Sequence, residues 1–151
     1  MRAALVAASD DPVILDFWLR NFAATVGNDV DELLVAVNGP HCHEVAGNAR
    51  FPELLSPRGI PQPGPLVRIW YYPERRDHGW CLRKLYDATD ADTLLFLETD
   101  AWFRQAGVAR DWFAAVESGA VDAIGSPRHP ASPQLIAAAE RRWGILSAGE
   151  D

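Results

Sequence analysis

The chain has 151 residues, of which 48% are apolar and 23% charged. That size and balance suit one globular domain around one core and exclude the collagen-like and disordered classes. A net charge of −7 argues against broad association with nucleic acid or anionic membrane, both of which need a basic face, but leaves room for a small basic pocket.

Ala3 to Ala8 is a short, continuous apolar run, the pattern of a strand buried on both faces. It is too short for the core of a signal peptide and ends in Ser9-Asp10-Asp11. Asp11-Pro12 is a helix start, an acidic N-cap followed by proline at the first helical position. Ile14, Phe17, Trp18, Asn21 and Phe22 then recur at helical spacing and are expected to lie on the sheet. Leu33 to Val37 reads as a second buried strand, broken by Asn38-Gly39-Pro40. A β-α-β opening implies parallel strands, with the first strand between the second and the fourth.

From His41 to Leu66 the chain is expected to form a short helix or turn and then a long loop, marked by Pro52, Pro57, Pro61, Pro63 and Pro65. Val67 to Tyr72 is the third expected strand, Gly79 to Thr89 a helix, and Thr93 to Leu97 the most apolar strand. Val108, Trp112, Phe113 and Val116 mark another helix, stopped by Gly119. Val121 to Ile124 is expected to be a fifth strand. Ser132-Pro133 opens a last helix carrying Leu135, Ile136, Ala139 and Trp143, with Gly144 as its C-cap. The order predicts an open, mostly parallel α/β sheet with helices on both faces, Rossmann-like in layout. No run approaches the roughly 20 apolar residues of a spanning helix. Two cysteines, Cys42 and Cys81, are too few for a disulfide scaffold, so two free thiols and a cytoplasmic setting are expected.

In such sheets ligands bind beyond the carboxyl ends of the strands. Those ends carry Ser9, Asp10 and Asp11; Asn38-Gly39; Glu74 to His78; Glu98-Thr99-Asp100; and Ser126, Arg128 and His129. Glu98 and Asp100, one residue apart at the end of a buried strand, can face the same side. Alone they repel, whereas Mg²⁺ or Mn²⁺ relieves the conflict and takes one or two carboxylates plus phosphate oxygens. The plain alternative is a pair of acids that solvates a strand end, because E-x-D is a short motif.

Other residues carry weaker signals. His41-Cys42-His43 lacks the spacing of a zinc site. Trp70, Tyr71 and Tyr72 can stack on a base or sugar, but alternation sends neighbours to opposite faces. Arg75-Arg76 suits phosphates or a solvated turn, and His78 and His129, as lone histidines, read as structural. No G-x-G-x-x-G follows the first strand, and neither a Walker A sequence nor a G-x-S-x-G elbow is present. A receiver-like signalling domain would use Asp10-Asp11 as its acidic pocket. It also needs an Asp after its third strand, where this chain has Tyr72-Pro73, and a late Lys, whereas the chain's only lysine is Lys84.

Ala4 to Asn21, with Ser9-Asp10-Asp11-Pro12 at its centre, and Asp31 to Pro40, ending in Val37-Asn38-Gly39-Pro40, resemble the opening of family 2-type glycosyltransferases of the GT-A fold. Gly79-Trp80-Cys81-Leu82-Arg83-Lys84 is similar to that family's "G…ARN" helix. Ala91 to Leu97 followed by Glu98-Thr99-Asp100 resembles its strand and D-x-D motif. The resemblance covers about residues 3 to 126. It implies that the chain is the nucleotide-binding half of an enzyme, inverting in outcome by family analogy, that moves a sugar from a UDP- or GDP-sugar donor to an acceptor of unknown identity. Asp100 would be the main metal ligand, and Glu98 would share the metal or contact the ribose. Ser9 and Asp10 would line the base and ribose, Asn38 would stand where the family has a base-reading Asp, and Arg83 would neutralise the diphosphate. Only about 25 residues follow the expected fifth strand, so the reading is one domain over 1–151, truncated or minimal, with a partner chain as a possible source of the acceptor site. Glu150-Asp151 would match the family's "GED" segment, the only candidate for the catalytic base, or be a polar tail. The alternative is a non-catalytic nucleotide-binding or protein-interaction domain of the same fold.

Overall fold

The computed structural model describes residues 1–47 and 65–124. By compactness the chain divides into two units, Met1–Ala114 and Ala115–Asp151. The first holds β1 (Arg2–Ser9), α1 (Pro12–Thr25), β2 (Glu32–Asn38), α2 (Cys42–Gly47), β3 (Leu66–Tyr72), α3 (His78–Tyr86) and β4 (Thr93–Glu98), and most of α4 (Val108–Glu117). Of the second unit, the described part ends α4 and turns at Gly119, whose φ of 73° lies in the left-handed region open to glycine.

The four strands form one parallel sheet in the order β3-β2-β1-β4, so β1 lies between β2 and β4 as expected. Ala3 to Ala8 and Leu33 to Val37 are buried throughout, because both faces of the central strands are covered. One face joins Ala4, Val6, Leu33 and Val35 to Leu15, Trp18, Leu19 and Phe22 of α1, Val45 of α2 and Phe113 of α4. The other joins Ala3, Leu5, Leu34 and Ala36 to Cys81 and Leu85 of α3. Cys42 and Cys81 are buried free thiols in these separate clusters, on opposite faces of the sheet. No helix among the described residues is long and apolar enough to cross a membrane.

Helix α1 starts as the sequence dictates. The Asp11 carboxylate accepts hydrogen bonds from Val13 N at 2.8 Å and Ile14 N at 3.2 Å, and Pro12 follows it. Its buried stripe, however, is Leu15, Trp18, Leu19 and Phe22. Ile14 and Phe17, expected on the sheet, are 41% and 59% exposed. The helix is apolar around most of its girth, so two stripes fit the period equally well, and the sheet covers only one of them.

The expected fifth strand is also corrected. Val121 to Ile124 forms no strand, and all four residues are exposed. Four residues with an acid among them are too few to hold an extended conformation without a neighbouring ladder. The expected loop beyond α2 over 48–64, the helix opening at Ser132-Pro133, and Ser126, Arg128, His129, Glu150 and Asp151 lie outside the described residues.

Candidate functional site

Strand order reverses at β1. The chain leads outward from β1 to β2 and β3, then crosses back through α3 to place β4 on the far side of β1. The carboxyl ends of β1 and β4 therefore flank the crevice where such sheets take ligands. Glu98 is level with Ala7 in the ladder, and the chain turns just beyond it, with Ala101 N donating to Glu98 O at 3.0 Å. Thr99 sits in that turn, buried, and its hydroxyl accepts from Ser9 N at 3.3 Å. This bond closes the seam between the two strand ends. Ser9 Oγ in turn accepts from Asp11 N at 3.2 Å, so Ser9 links the strand end to the cap of α1.

Asp10 reaches across to the β2–α2 turn. Its Oδ2 accepts from His41 N at 2.8 Å. Gly39 has φ of 150°, and a Cβ built there would meet the Asp10 carboxylate atoms at 2.3 to 2.6 Å. A side chain at 39 would have to displace that carboxylate from its bond to His41 N, in addition to adopting a positive φ. His41 also meets Glu44 through Nδ1 at 3.0 Å, and this contact raises the imidazole above its ordinary range.

Asn38 is buried and engages both backbone groups of one distant residue. Its Nδ2 donates to Arg76 O at 2.6 Å and its Oδ1 accepts from Arg76 N at 2.9 Å. The pair fixes the β3–α3 loop against the end of β2. The Arg76 guanidinium consequently stays at this end of the sheet, paired with Glu74 and 5.4 Å from the centre of the Trp80 ring. The loop leads into α3 through the Asp77 cap, which accepts from Trp80 N at 2.8 Å. His78, the first residue of α3, places Nδ1 3.1 Å from Glu98 Oε1.

The structure therefore gathers Ser9, Asp10, Asn38 and Glu98 at the carboxyl end, with exposed Asp100 in the turn after β4. Arg83 is placed elsewhere. It lies five residues along α3 from His78, about 7.5 Å at the helical rise. Its Nε donates to Asp87 at 2.9 Å and its guanidinium stacks over Tyr86 at 5.5 Å. The Arg76 guanidinium, in the loop that Asn38 holds, is a positive charge at this end of the sheet. Two residues that sequence reasoning undervalued, His78 and Thr99, hold the site together. Their signals were present: a histidine directly after an Asp cap at a strand-to-helix crossing, and a hydroxyl between two acids.

Among the described residues, no three His, Cys, Asp or Glu side chains converge as a metal cage. Magnesium and manganese do not need one, since one or two carboxylates with phosphate oxygens and water complete their shell. The donor set of Glu98 and Asp100 is of that oxygen-rich kind. No known family, curated protein or solved structure matches the chain.

Proposed function

We propose that this chain is the nucleotide-binding half of a metal-dependent glycosyltransferase that takes a sugar from a nucleoside-diphosphate donor. The observation that carries the reading is the place of Glu98-Thr99-Asp100, at the carboxyl end of β4 beside β1, where strand order reverses. Asp100 and Glu98 would hold Mg²⁺ or Mn²⁺, which supplies Lewis-acid stabilisation of the charge growing on a diphosphate leaving group. The chain's own residues prepare the ground. His78 orients the Glu98 carboxylate, Thr99 binds the β4 turn to β1, and Asn38 keeps the Arg76 loop close. Ser9 and Asp10 edge the crevice on the nucleotide side. A hydroxyl of the acceptor would attack the anomeric carbon from the face opposite the leaving group, with its proton passing to a carboxylate base.

A second reading is a domain of this layout that binds a nucleotide or a protein without turnover. It is favoured by the structural duties of three residues expected to touch nucleotide: Asp10 on His41, Asn38 on Arg76, and Arg83 on Asp87.

Calorimetry with UDP and GDP separates the readings. The first reading expects binding in Mn²⁺ that disappears in EDTA and in Asp100→Asn, and that persists in Asp92→Asn, at the opposite end of β4. Equal affinity in EDTA would remove the metal from the account. Metal-dependent binding with no transfer to any acceptor would select the second reading.

A further inference from the structure

Helix α1 carries more apolar side chains than the sheet covers. Beyond the buried stripe, Val13 is 76% exposed and Phe17 59%. Phe17 meets Trp102, itself 42% exposed, edge to face with ring centroids 4.3 Å apart. The backbone on each side of Trp102 is anchored. Trp18 Nε1 donates to Ala101 O at 3.1 Å. Asn21 grips the other neighbour, its Nδ2 donating to Phe103 O at 2.9 Å and its Oδ1 accepting from Phe103 N at 3.1 Å. Three bonds from α1 thus fix the chain before and after Trp102 and leave the indole at the surface. Asp100, also exposed, is two residues away, which limits the Cα separation to about 7 Å.

A fixed, exposed aromatic pair beside an exposed carboxylate matches the two sides of a pyranose ring. The axial C–H face of a sugar packs on an aromatic plane, and its rim of hydroxyls donates to carboxylate oxygens. We propose that Phe17 and Trp102 form a carbohydrate platform that receives the sugar ring of the acceptor next to Asp100. The choice of a sugar as occupant rests on the glycosyltransferase reading. The platform itself rests on the anchored geometry. It gives α1 two jobs: its inner stripe builds the core, and its outer stripe, with the Trp18 and Asn21 hydrogen bonds, presents the indole.

The test uses the whole chain without metal or nucleotide, so that it reads the platform alone. Indole ¹⁵N–¹H resonances are followed during titration with methyl glucopyranoside, methyl galactopyranoside and methyl mannopyranoside. Sorbitol, with hydroxyls but no ring, is the control, and the buried Trp18 indole is the internal reference. The expected result is a saturable shift of the Trp102 signal with at least one pyranoside and none with sorbitol. Phe17→Ala should weaken that binding on the order of tenfold, the usual scale for losing one aromatic contact. No saturable shift with any of the three pyranosides overturns the inference. So does a Trp102 shift that follows protein concentration without sugar, which would assign the patch to self-association. Calorimetry with nucleotide reports on metal binding at Glu98 and Asp100 separately from the indole titration, so failure of the platform and failure of the glycosyltransferase reading are distinguishable.

Discussion

The two ends of the sheet treat their acids differently. At the amino end, Glu32 and Asp92 meet cationic groups. Glu32, buried at the start of β2, pairs with Arg68 at 2.5 Å and accepts from the Thr89 hydroxyl at 2.7 Å, while Arg68 also donates to Ala88 O at 2.7 Å. Asp92 meets the Met1 ammonium at 2.6 Å, which holds its carboxyl below the ordinary range. At the carboxyl end, Glu74 pairs with Arg76, but Asp10, Asp11 and Asp77 accept from backbone N–H groups, and Glu98 meets a histidine. Backbone N–H groups orient a carboxylate without adding a full positive charge. One end spends its acids on stability. The other aligns Asp10, Asp11 and Asp77 by backbone donors, at the same end as Glu98 and Asp100, whose oxygens are of the kind a divalent cation takes.

The sharpest break of this contrast comes from matched substitutions. Glu32→Gln should cost about 2–4 kcal/mol in urea unfolding, since it leaves Arg68 without its buried counter-charge; the figure sits toward the low side because the Arg68 side chain is 37% exposed. Glu98→Gln, which weakens a contact with an exposed histidine, should cost less than about 1 kcal/mol while removing metal-dependent binding. Equal losses of stability would erase the distinction between the ends. Next in size is Gly39→Ala, expected to cost about 1–3 kcal/mol because the new methyl group meets the Asp10 carboxylate at a positive φ. Adding Asp10→Ala to that variant should restore part of the loss. If it restores none, backbone strain alone requires the glycine. Asn38→Asp should cost about 1–2 kcal/mol, because a carboxylate cannot donate to Arg76 O. An unchanged unfolding midpoint would show that the loop is held by other contacts.

The smallest effect is a titration. His41 should titrate above 6.5, and Glu44→Gln should bring it back toward that value in an NMR titration. Its folded pKa is raised, so its contribution is complete below the unfolded pKa and is lost as pH rises through the folded one. A His41 pKa indifferent to Glu44 would contradict the pairing.

What the sequence made legible follows from how local each signal is. Asp11-Pro12 fixed the start of α1 because cap and helix are neighbours in the chain. The central strands were readable because burial on both faces leaves no alternation to misread. The phase of α1 was not, since Ile14, Leu15, Phe17 and Leu19 satisfy two stripes and only the sheet decides between them. Val121 to Ile124 misled because four mostly apolar residues carry no sign of whether a partner strand waits for them. At the site, Ser9, Asp10, Asn38 and Glu98 were found together by the rule of strand ends. The commitments of Asn38 to the Arg76 backbone and of Arg83 to Asp87 were not legible, for the first spans 38 residues and the second is one of several helix pairs open to an exposed arginine.

The central claim is that the carboxyl end, and not the amino end, receives the metal. Mn²⁺ broadens nearby amide resonances, so one spectrum of the chain with UDP or GDP reads both ends together. The account predicts selective broadening at Ser9, His78 and Thr99, none at Glu32, Arg68 or Thr89, and loss of the effect in Asp100→Asn. Broadening centred on Glu32 or Asp92, or the same pattern undiminished in Asp100→Asn, would contradict it.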